Sequence, residues 1–249
     1  SFGYGGGTKI DPDSRTMDKR LGGGAILDVG CYPVSMARLL AGAAVGHPFA
    51  DPVQVSGAGH LGETGADEWA AAVLRFESGI VAQVVTAVRA SPDNSLEITG
   101  SNGRIVVPNP WVAGRSEPDR GRIIVSVNGT EEIIEVAADR TSFAYEAEVV
   151  AGAIGVGRKE PASPAMSWAD TLGNLLVLDA WRESAGLVYD EETAAGNEPI
   201  RGGLRRRQNT TMTYGRIPGL DKPVSKLIMG CDNQSTFAHG AAMWDDWYE

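Results

Sequence analysis

Three pairs of short apolar runs, each pair joined by turn-forming residues, constrain the fold more than any other feature of the sequence. The paired runs are 68–76 with 80–89, 96–99 with 104–107, and 123–127 with 131–136. Each run is rich in β-branched residues, and each connection contains the Gly or Asn that hairpins favour. The dipeptide Asn128-Gly129, in the last connection, is a strong hairpin signal. Six strands in consecutive hairpins predict a largely antiparallel, open β-sheet.

Two amphipathic patterns follow the strands. Both repeat apolar residues at helical spacing, so each predicts a helix with one apolar stripe. The stripes are Phe143, Ala147, Val150, Ala151 and Ile154 in the first helix, and Trp168, Leu172, Leu175 and Leu176 in the second. Ser167 is the expected N-terminal cap of the second helix. Strands first and helices afterwards predict an α+β fold, with the two stripes packed on one face of the sheet.

The composition changes after this region. We predict a substrate-binding and catalytic α+β domain over 1–190, a polar linker over 191–213, and a truncated appendage over 214–249. The linker is rich in Gly and charge and has no periodicity. The appendage is too short to bury a core alone. The chain has no initiator Met, and both ends look like interrupted elements, so we expect a fragment of a longer protein.

The charge balance argues against several classes of partner. The chain carries 22 Lys and Arg against 32 Asp and Glu, a formal charge of -10. Nucleic acid and anionic membrane surfaces repel such a chain, so neither is an expected partner. No apolar run has the roughly 18 residues of a membrane span. The two cysteines are far apart, which favours the reducing cytoplasm, and the three histidines have no ligand spacing, so no metal site is predicted.

A glycine-rich segment, 22–33, carries the residues best suited to chemistry. Three consecutive glycines, including Gly23 and Gly24, allow sharp turns and the close approach of a ligand. Asp28 and Tyr32 are four residues apart, and we predict that they share one face of a helix running from 28 to about 42. A tyrosine hydroxyl can move a proton, and a carboxylate can hold a substrate hydroxyl. Spacing alone nevertheless favours a structural reading, with a loop, a helix cap and a packed tyrosine.

Two residues outside this segment are further candidates. Arg15 precedes the glycines and is a candidate contact for a substrate hydroxyl or a cofactor phosphate, with a solvated loop as the alternative. Trp111 follows Pro108-Asn109-Pro110, in a rigid loop that is a candidate wall of the pocket.

Within the glycine-rich segment, Cys31 is a candidate reactive thiol, although a packing role is commoner for such a residue.

A family resemblance changes the balance between these readings. The segment 22–40, GGGAILDVGCYPVSMARLL, resembles the second signature of the Gfo/Idh/MocA oxidoreductases, and the resemblance to their C-terminal domain continues over about 190 residues. Tyrosine in the last signature position resembles the branch of glucose-fructose oxidoreductase and dihydrodiol dehydrogenase. The resemblance implies that Tyr32 is the general acid or base and that Asp28 contacts the substrate or orients the proton relay. Gly23, Gly24 and Arg15 are then the expected substrate contacts.

The same resemblance sets the expected function. It implies an NAD- or NADP-dependent oxidoreductase that acts on a sugar, polyol or vicinal diol. The hydride cofactor is expected on a Rossmann domain that these residues do not include, and homo-oligomers are expected to form through the sheet. Residues 214–249 resemble the first strands of an aldo-keto reductase barrel. The alternatives are a non-catalytic binding or dimerisation module and an inactive truncated fragment.

Overall fold

The strands near the start of the chain form a first sheet. The computed structural model describes residues 1–5, 11–115, 120–193, 214–216 and 224–225. The first sheet has the order β1-β4-β3-β2. Its strands are β1 (Phe2–Gly3), β2 (Gln54–Leu61), β3 (Asp67–Arg75) and β4 (Val81–Ala87). β1 runs parallel to β4, and the other pairs are antiparallel.

A second sheet is an antiparallel meander in the order β5-β6-β7-β8. Its strands are β5 (Ser95–Gly100), β6 (Gly103–Pro108), β7 (Arg120–Val127) and β8 (Thr130–Ala137). Asn128 and Gly129, between β7 and β8, both have positive φ, as the tight hairpin turn requires. All three predicted hairpins are present, and the strands are divided between two sheets.

Four α-helices accompany the sheets in the described residues. They are α1 (Ala25–Asp28), α2 (Cys31–Ala43), α3 (Ser142–Gly155) and α4 (Trp168–Ala185). The hydroxyl of Ser167 accepts a hydrogen bond from the Asp170 N–H and so caps α4 as predicted. The α+β class inferred from the sequence is therefore confirmed.

The main core lies between the first sheet and the helices α2 and α4. Alternation along β3 places Ala70, Ala72 and Leu74 inside, whereas the intervening residues face outward. Leu74 and Trp181 of α4 are fully buried in this core. Gly57 of β2 has no side chain, and a Cβ there would lie 2.5 Å from the Trp181 ring, so glycine allows α4 to pack closely on the sheet.

The helical stripes predicted from the sequence do not pack on a sheet. In α3, the stripe residues Phe143, Val150 and Ile154 are 54%, 52% and 69% exposed. In α4, the predicted stripe Trp168, Leu172, Leu175 and Leu176 is also exposed, and the buried face is Gly173, Asn174, Val177, Leu178 and Trp181. Small and planar residues on that second face let α4 approach β2, and this approach decides which face is buried.

The chain divides into two compact units, Ser1–Asn197 and Glu198–Glu249, with the boundary inside the predicted linker 191–213. In the second unit, Tyr214–Gly215 pairs antiparallel with Val224–Ser225. The rest of the appendage lies outside the described residues, so its aldo-keto reductase resemblance stays a prediction. Within the described residues, no single helix could cross a membrane; only the bent pair Lys19–Asp28 and Cys31–Ala43 reaches the required length and apolarity together.

Candidate active site

The predicted pair Asp28 and Tyr32 stands on two helices rather than one. Asp28 ends α1, and Tyr32 lies in the first turn of α2. Pro33 has no N–H to bond the carbonyl of Val29, so one continuous helix cannot pass through this point. Gly30 allows the break, because a Cβ there would lie 2.5 Å from the Ile26 carbonyl oxygen. The single helix predicted from residue 28 to about residue 42 is therefore wrong.

Asp28 is the centre of a polar cluster. Its carboxylate accepts hydrogen bonds from Arg15 Nη1 and from Tyr4 Oη, each at 2.6 Å. The Asp28 side chain is only 13% exposed, whereas the Arg15 side chain is 53% exposed. Each carboxylate oxygen has a further acceptor position, so Asp28 can still take a substrate hydroxyl. The structure thus joins two predicted residues, Asp28 and Arg15, and adds Tyr4.

Tyr32 belongs to an aromatic cluster with Phe2 and Trp111. The Tyr32 ring meets the Phe2 ring edge to face at 5.2 Å, and the Trp111 ring lies 6.5 Å away. Phe2 and Trp111 stack on each other at 5.6 Å. The indole Nε1 of Trp111 donates a 2.7 Å hydrogen bond to the Ser1 carbonyl, which fixes its ring. Tyr32 itself is half exposed.

The backbone N–H groups of the triglycine, Gly22 to Gly24, are hydrogen-bonded within the protein. The N–H groups of Gly22, Gly23 and Gly24 donate to the carbonyls of Lys19, Asp18 and Thr16, in that order. Gly23 and Gly24 are buried. Gly24 has φ of 129°, a conformation that side chains rarely adopt. These glycines shape the turn before α1, and their direct contact with a substrate stays a prediction.

Two buried side chains hold this turn. The Asp67 carboxylate accepts a 2.8 Å hydrogen bond from the Ile26 N–H, and the Tyr189 hydroxyl donates a 2.9 Å bond to the Gly23 carbonyl. Burial raises the pKa of Asp67 to about 6. Burial and then the Asp67 charge raise the pKa of Tyr189 to about 12. The sequence pattern did not reveal either residue, because both are far from the glycines along the chain.

Cys31, beside Tyr32, is not activated. Burial and then the charge of Asp28 raise the pKa of its thiol to about 11. The thiol therefore remains protonated at neutral pH, which favours the packing role over the reactive one.

A cavity of about 830 Å³ lies beside this region but is separate from the predicted catalytic residues. Its walls come from α2, β4 and β5, and it shares Ser1 and Trp111 with the aromatic cluster. Neither Asp28 nor Tyr32 lines it. The larger part of its surface is apolar. In the described residues, no group of His, Cys, Asp and Glu is arranged to hold a metal.

Residues 1–106 match the GFO/IDH/MocA C-terminal domain. Over these residues the chain is similar to the C-terminal domain of the GFO/IDH/MocA family.

The similar proteins include named dehydrogenases. Trans-1,2-dihydrobenzene-1,2-diol dehydrogenase of Xenopus laevis is 31% identical over 191 residues, which cover 74% of this chain and 53% of that protein. D-xylose 1-dehydrogenase (NADP(+)) of Haloferax volcanii is 27% identical, with 71% and 48% of the two chains covered. The chain thus spans about half the length of the curated relatives it matches.

A solved structure shares the fold. It is a variant of a 3-ketoreductase from Actinomadura kijaniata, in complex with TDP-benzene and NADP. The TM-score is 0.60 at 24% identity, and the match covers 74% of this chain and 52% of that one. This likeness supports the α+β architecture.

Proposed function

We propose that this chain supplies the substrate-binding, proton-transferring part of an NAD(P)-dependent oxidoreductase that acts on the carbinol group of a sugar, polyol or vicinal diol. One observation carries the proposal. Tyr32 is half exposed, packs beside the rings of Phe2 and Trp111, here called the aromatic wall, and follows Asp28 and its polar cluster in the chain. The named activities of the relatives support the reaction class.

The proton step belongs to Tyr32. In the direction of reduction, its hydroxyl donates a proton to the carbonyl oxygen of the substrate. In the direction of oxidation, the same oxygen accepts the proton of the substrate hydroxyl. Asp28 accepts a hydrogen bond from a neighbouring substrate hydroxyl, and Arg15 holds the Asp28 carboxylate in place.

The nicotinamide supplies or accepts the hydride when it is bound. The triglycine does not fit its phosphates, because all three glycine N–H groups already donate to carbonyls of the chain. We therefore assign the dinucleotide to a Rossmann domain beyond these 249 residues.

The aromatic wall favours a ring-shaped substrate. Phe2 and Trp111 present stacked apolar rings beside Tyr32. A pyranose or an alicyclic diol has a flat C–H face that packs on such rings, while its hydroxyls reach Tyr32 and Asp28. The substrate class of the proposal therefore combines one apolar face with vicinal hydroxyls.

A second candidate function is assembly. The outer face of the first sheet exposes Trp69, Val73 and Val81, at 43%, 46% and 63%. An apolar sheet face of this kind supports self-association between copies of the chain. Homo-oligomers in the cytoplasm are thus part of the proposal, and a purely structural module is its alternative.

Substitution of Tyr32 separates catalysis from assembly. We expect Tyr32→Phe, in the enzyme that includes the cofactor-binding domain, to lower kcat by about two orders of magnitude or more, because the proton donor is lost. The ring contact with Phe2 is kept, so folding is preserved. Steady-state kinetics with a vicinal diol and NADP measures the effect.

Tyr145→Phe is the matched control. It removes a half-exposed phenol hydroxyl that bonds Asp139 at 2.7 Å, outside the candidate site. Turnover of this control should equal that of the parent enzyme. Unchanged turnover in Tyr32→Phe would exclude the catalytic assignment and leave the assembly role.

A further inference from the structure

We infer that Asp67 and Tyr189 are positioning residues that hold the segment 23–28 and thereby aim Asp28 and Tyr32 at the substrate. They act from separate elements, since Asp67 begins β3 and Tyr189 follows α4. The inference rests on the proposed function, because it concerns the same candidate site. It assigns a role to two buried side chains whose hydrogen bonds hold the backbone of Ile26 and Gly23.

Asp67 holds the start of α1. Its side chain is fully buried, and its Oδ2 accepts the hydrogen bond from the Ile26 N–H at 2.8 Å. Its Oδ1 has no hydrogen-bond partner within the described residues. This oxygen lies against Gly24, and a Cβ on Gly24 would overlap it. The Asp67 carboxylate can therefore occupy this position only because residue 24 is a glycine.

Tyr189 holds the preceding residue. Its hydroxyl donates to the Gly23 carbonyl at 2.9 Å, and the residue is only 6% exposed. Its own position is fixed, because the Tyr189 N–H donates to Glu192 at 3.0 Å. Glu192 in turn forms two hydrogen bonds with Arg182, whose guanidinium lies 5.0 Å from the centre of the Tyr189 ring.

Burial of the Asp67 carboxylate lowers the stability of the fold, which indicates that this side chain has a role beyond packing. A buried carboxylate with an unpartnered oxygen destabilises the fold. Glycines provide no side-chain contacts of their own, so the two hydrogen bonds add to the backbone hydrogen bonds of Gly22 to Gly24 in restraining this turn. From Gly24 the chain reaches Asp28 through the single turn of α1. Small errors of position at a reacting centre lower rates strongly, so this restraint serves catalysis.

The surrounding charges agree with this reading. The charged and titratable groups that act on Asp67 are Arg182 and Tyr189. Arg182 is itself paired with Glu192 and Asp179. The raised pKa of Tyr189 keeps its hydroxyl protonated at neutral pH, so it can donate to Gly23.

The first test uses the chain itself. Asp67→Asn and Tyr189→Phe each remove a charge or a hydroxyl with little change of shape. We expect amide hydrogen exchange at Gly23, Gly24 and Ile26, measured by NMR, to become about fivefold faster or more. Asp67→Asn replaces the charged acceptor of the Ile26 N–H with a weaker neutral one, and Tyr189→Phe removes the donor to the Gly23 carbonyl. Exchange in the β7–β8 hairpin should not change. Glu63→Gln, an exposed carboxylate-to-amide change, and Tyr145→Phe are the matched controls.

The second test uses the enzyme with its cofactor-binding domain. We expect each variant to lower kcat by about tenfold, with KM changed less than about twofold, because positioning acts on the reacting geometry. Tyr189→Phe keeps its ring beside Arg182 and provides the test even where the Asp67 variant does not fold.

The outcomes separate the two proposals. Faster exchange with unchanged kcat would overturn the positioning role, and so would unchanged exchange. If Tyr32→Phe leaves turnover intact, the proposed function fails, whatever the exchange shows. If Tyr32→Phe abolishes turnover and the positioning variants behave like the controls, the function stands and the inference fails.

Discussion

Burial, more than any neighbouring charge, sets the proton affinity of single residues around the candidate site. It raises the pKa of both Asp67 and Cys31. The two consequences differ. The Cys31 thiol becomes inert, whereas Asp67 is left with a pKa of about 6 that lies close to neutrality. The stability of the domain should therefore depend on pH through Asp67.

The sign of this dependence follows from the raised pKa. Between the unfolded value of about 3.9 and the folded value, the folded chain holds a proton that the unfolded chain releases. The contribution of Asp67 is therefore fully present below about pH 4 and is lost as the pH rises through about 6. The loss is about 3 kcal/mol at neutral pH.

Asp67→Asn should remove this contribution. We expect the free energy of unfolding of the variant, relative to that of the parent, to increase by about 3 kcal/mol between about pH 4 and about pH 7. Urea unfolding followed by circular dichroism at several pH values measures it. Glu63→Gln should follow the parent at each pH. Parallel curves for Asp67→Asn and the parent would contradict the prediction.

Single residues also show where sequence reasoning succeeds. Asp28 and Arg15 were predictable candidates, and the structure pairs them at 2.6 Å. Tyr4 and Asp67 were not, because their partners lie 24 and 41 residues away along the chain. The spacing of neighbouring residues cannot predict such contacts, because only folding brings these residues together.

Elements were predictable where their signals are local. The hairpin at Asn128-Gly129 follows from turn chemistry, and the start of α4 follows from the cap at Ser167. Strand β2 was not predicted, because Gly57 and Gly59 replace its inward side chains under Trp181 and Ala185. Periodicity also failed to choose the buried face of α4, since both faces carry apolar residues and packing with β2 decides.

The position of α2, which carries Tyr32, depends on an ion pair. Arg38 is fully buried and bonds the carboxylates of Asp170, on α4, and Asp51. The two acids differ in environment, because the Asp51 side chain is 58% exposed and that of Asp170 only 12%. A single guanidinium thus links the two helices that cover the first sheet.

Asp170→Asn should destabilise the chain by about 3 kcal/mol, because it leaves a buried guanidinium without its buried partner. Asp51→Asn is the matched comparison and should cost less than about 1 kcal/mol, since solvent already screens that pair. Thermal and urea unfolding measure both. Equal costs for the two variants would show that burial does not distinguish the two pairs.

At the scale of the whole molecule, the candidate site lies within one compact unit. The first unit, Ser1–Asn197, contains the polar cluster, the aromatic wall and the core that supports them. Its similarity to the GFO/IDH/MocA C-terminal domain was visible in the sequence, because the signature 22–40 is contiguous. The division of the strands between two sheets was not, since strand order depends on pairings that hairpin signals do not specify.

The 249-residue chain alone should bind neither NADH nor NADPH in a saturable manner. The physical reason is the triglycine, whose N–H groups donate to carbonyls at 3.0 to 3.1 Å and are not available to a pyrophosphate. Titration followed by nicotinamide fluorescence tests this, and the enzyme with its cofactor-binding domain is the positive control. Tight binding by the chain alone would place a dinucleotide site within these residues. One domain would then bind the nicotinamide and carry the proton donor Tyr32, and the proposed assignment of the dinucleotide to a separate Rossmann domain would be wrong.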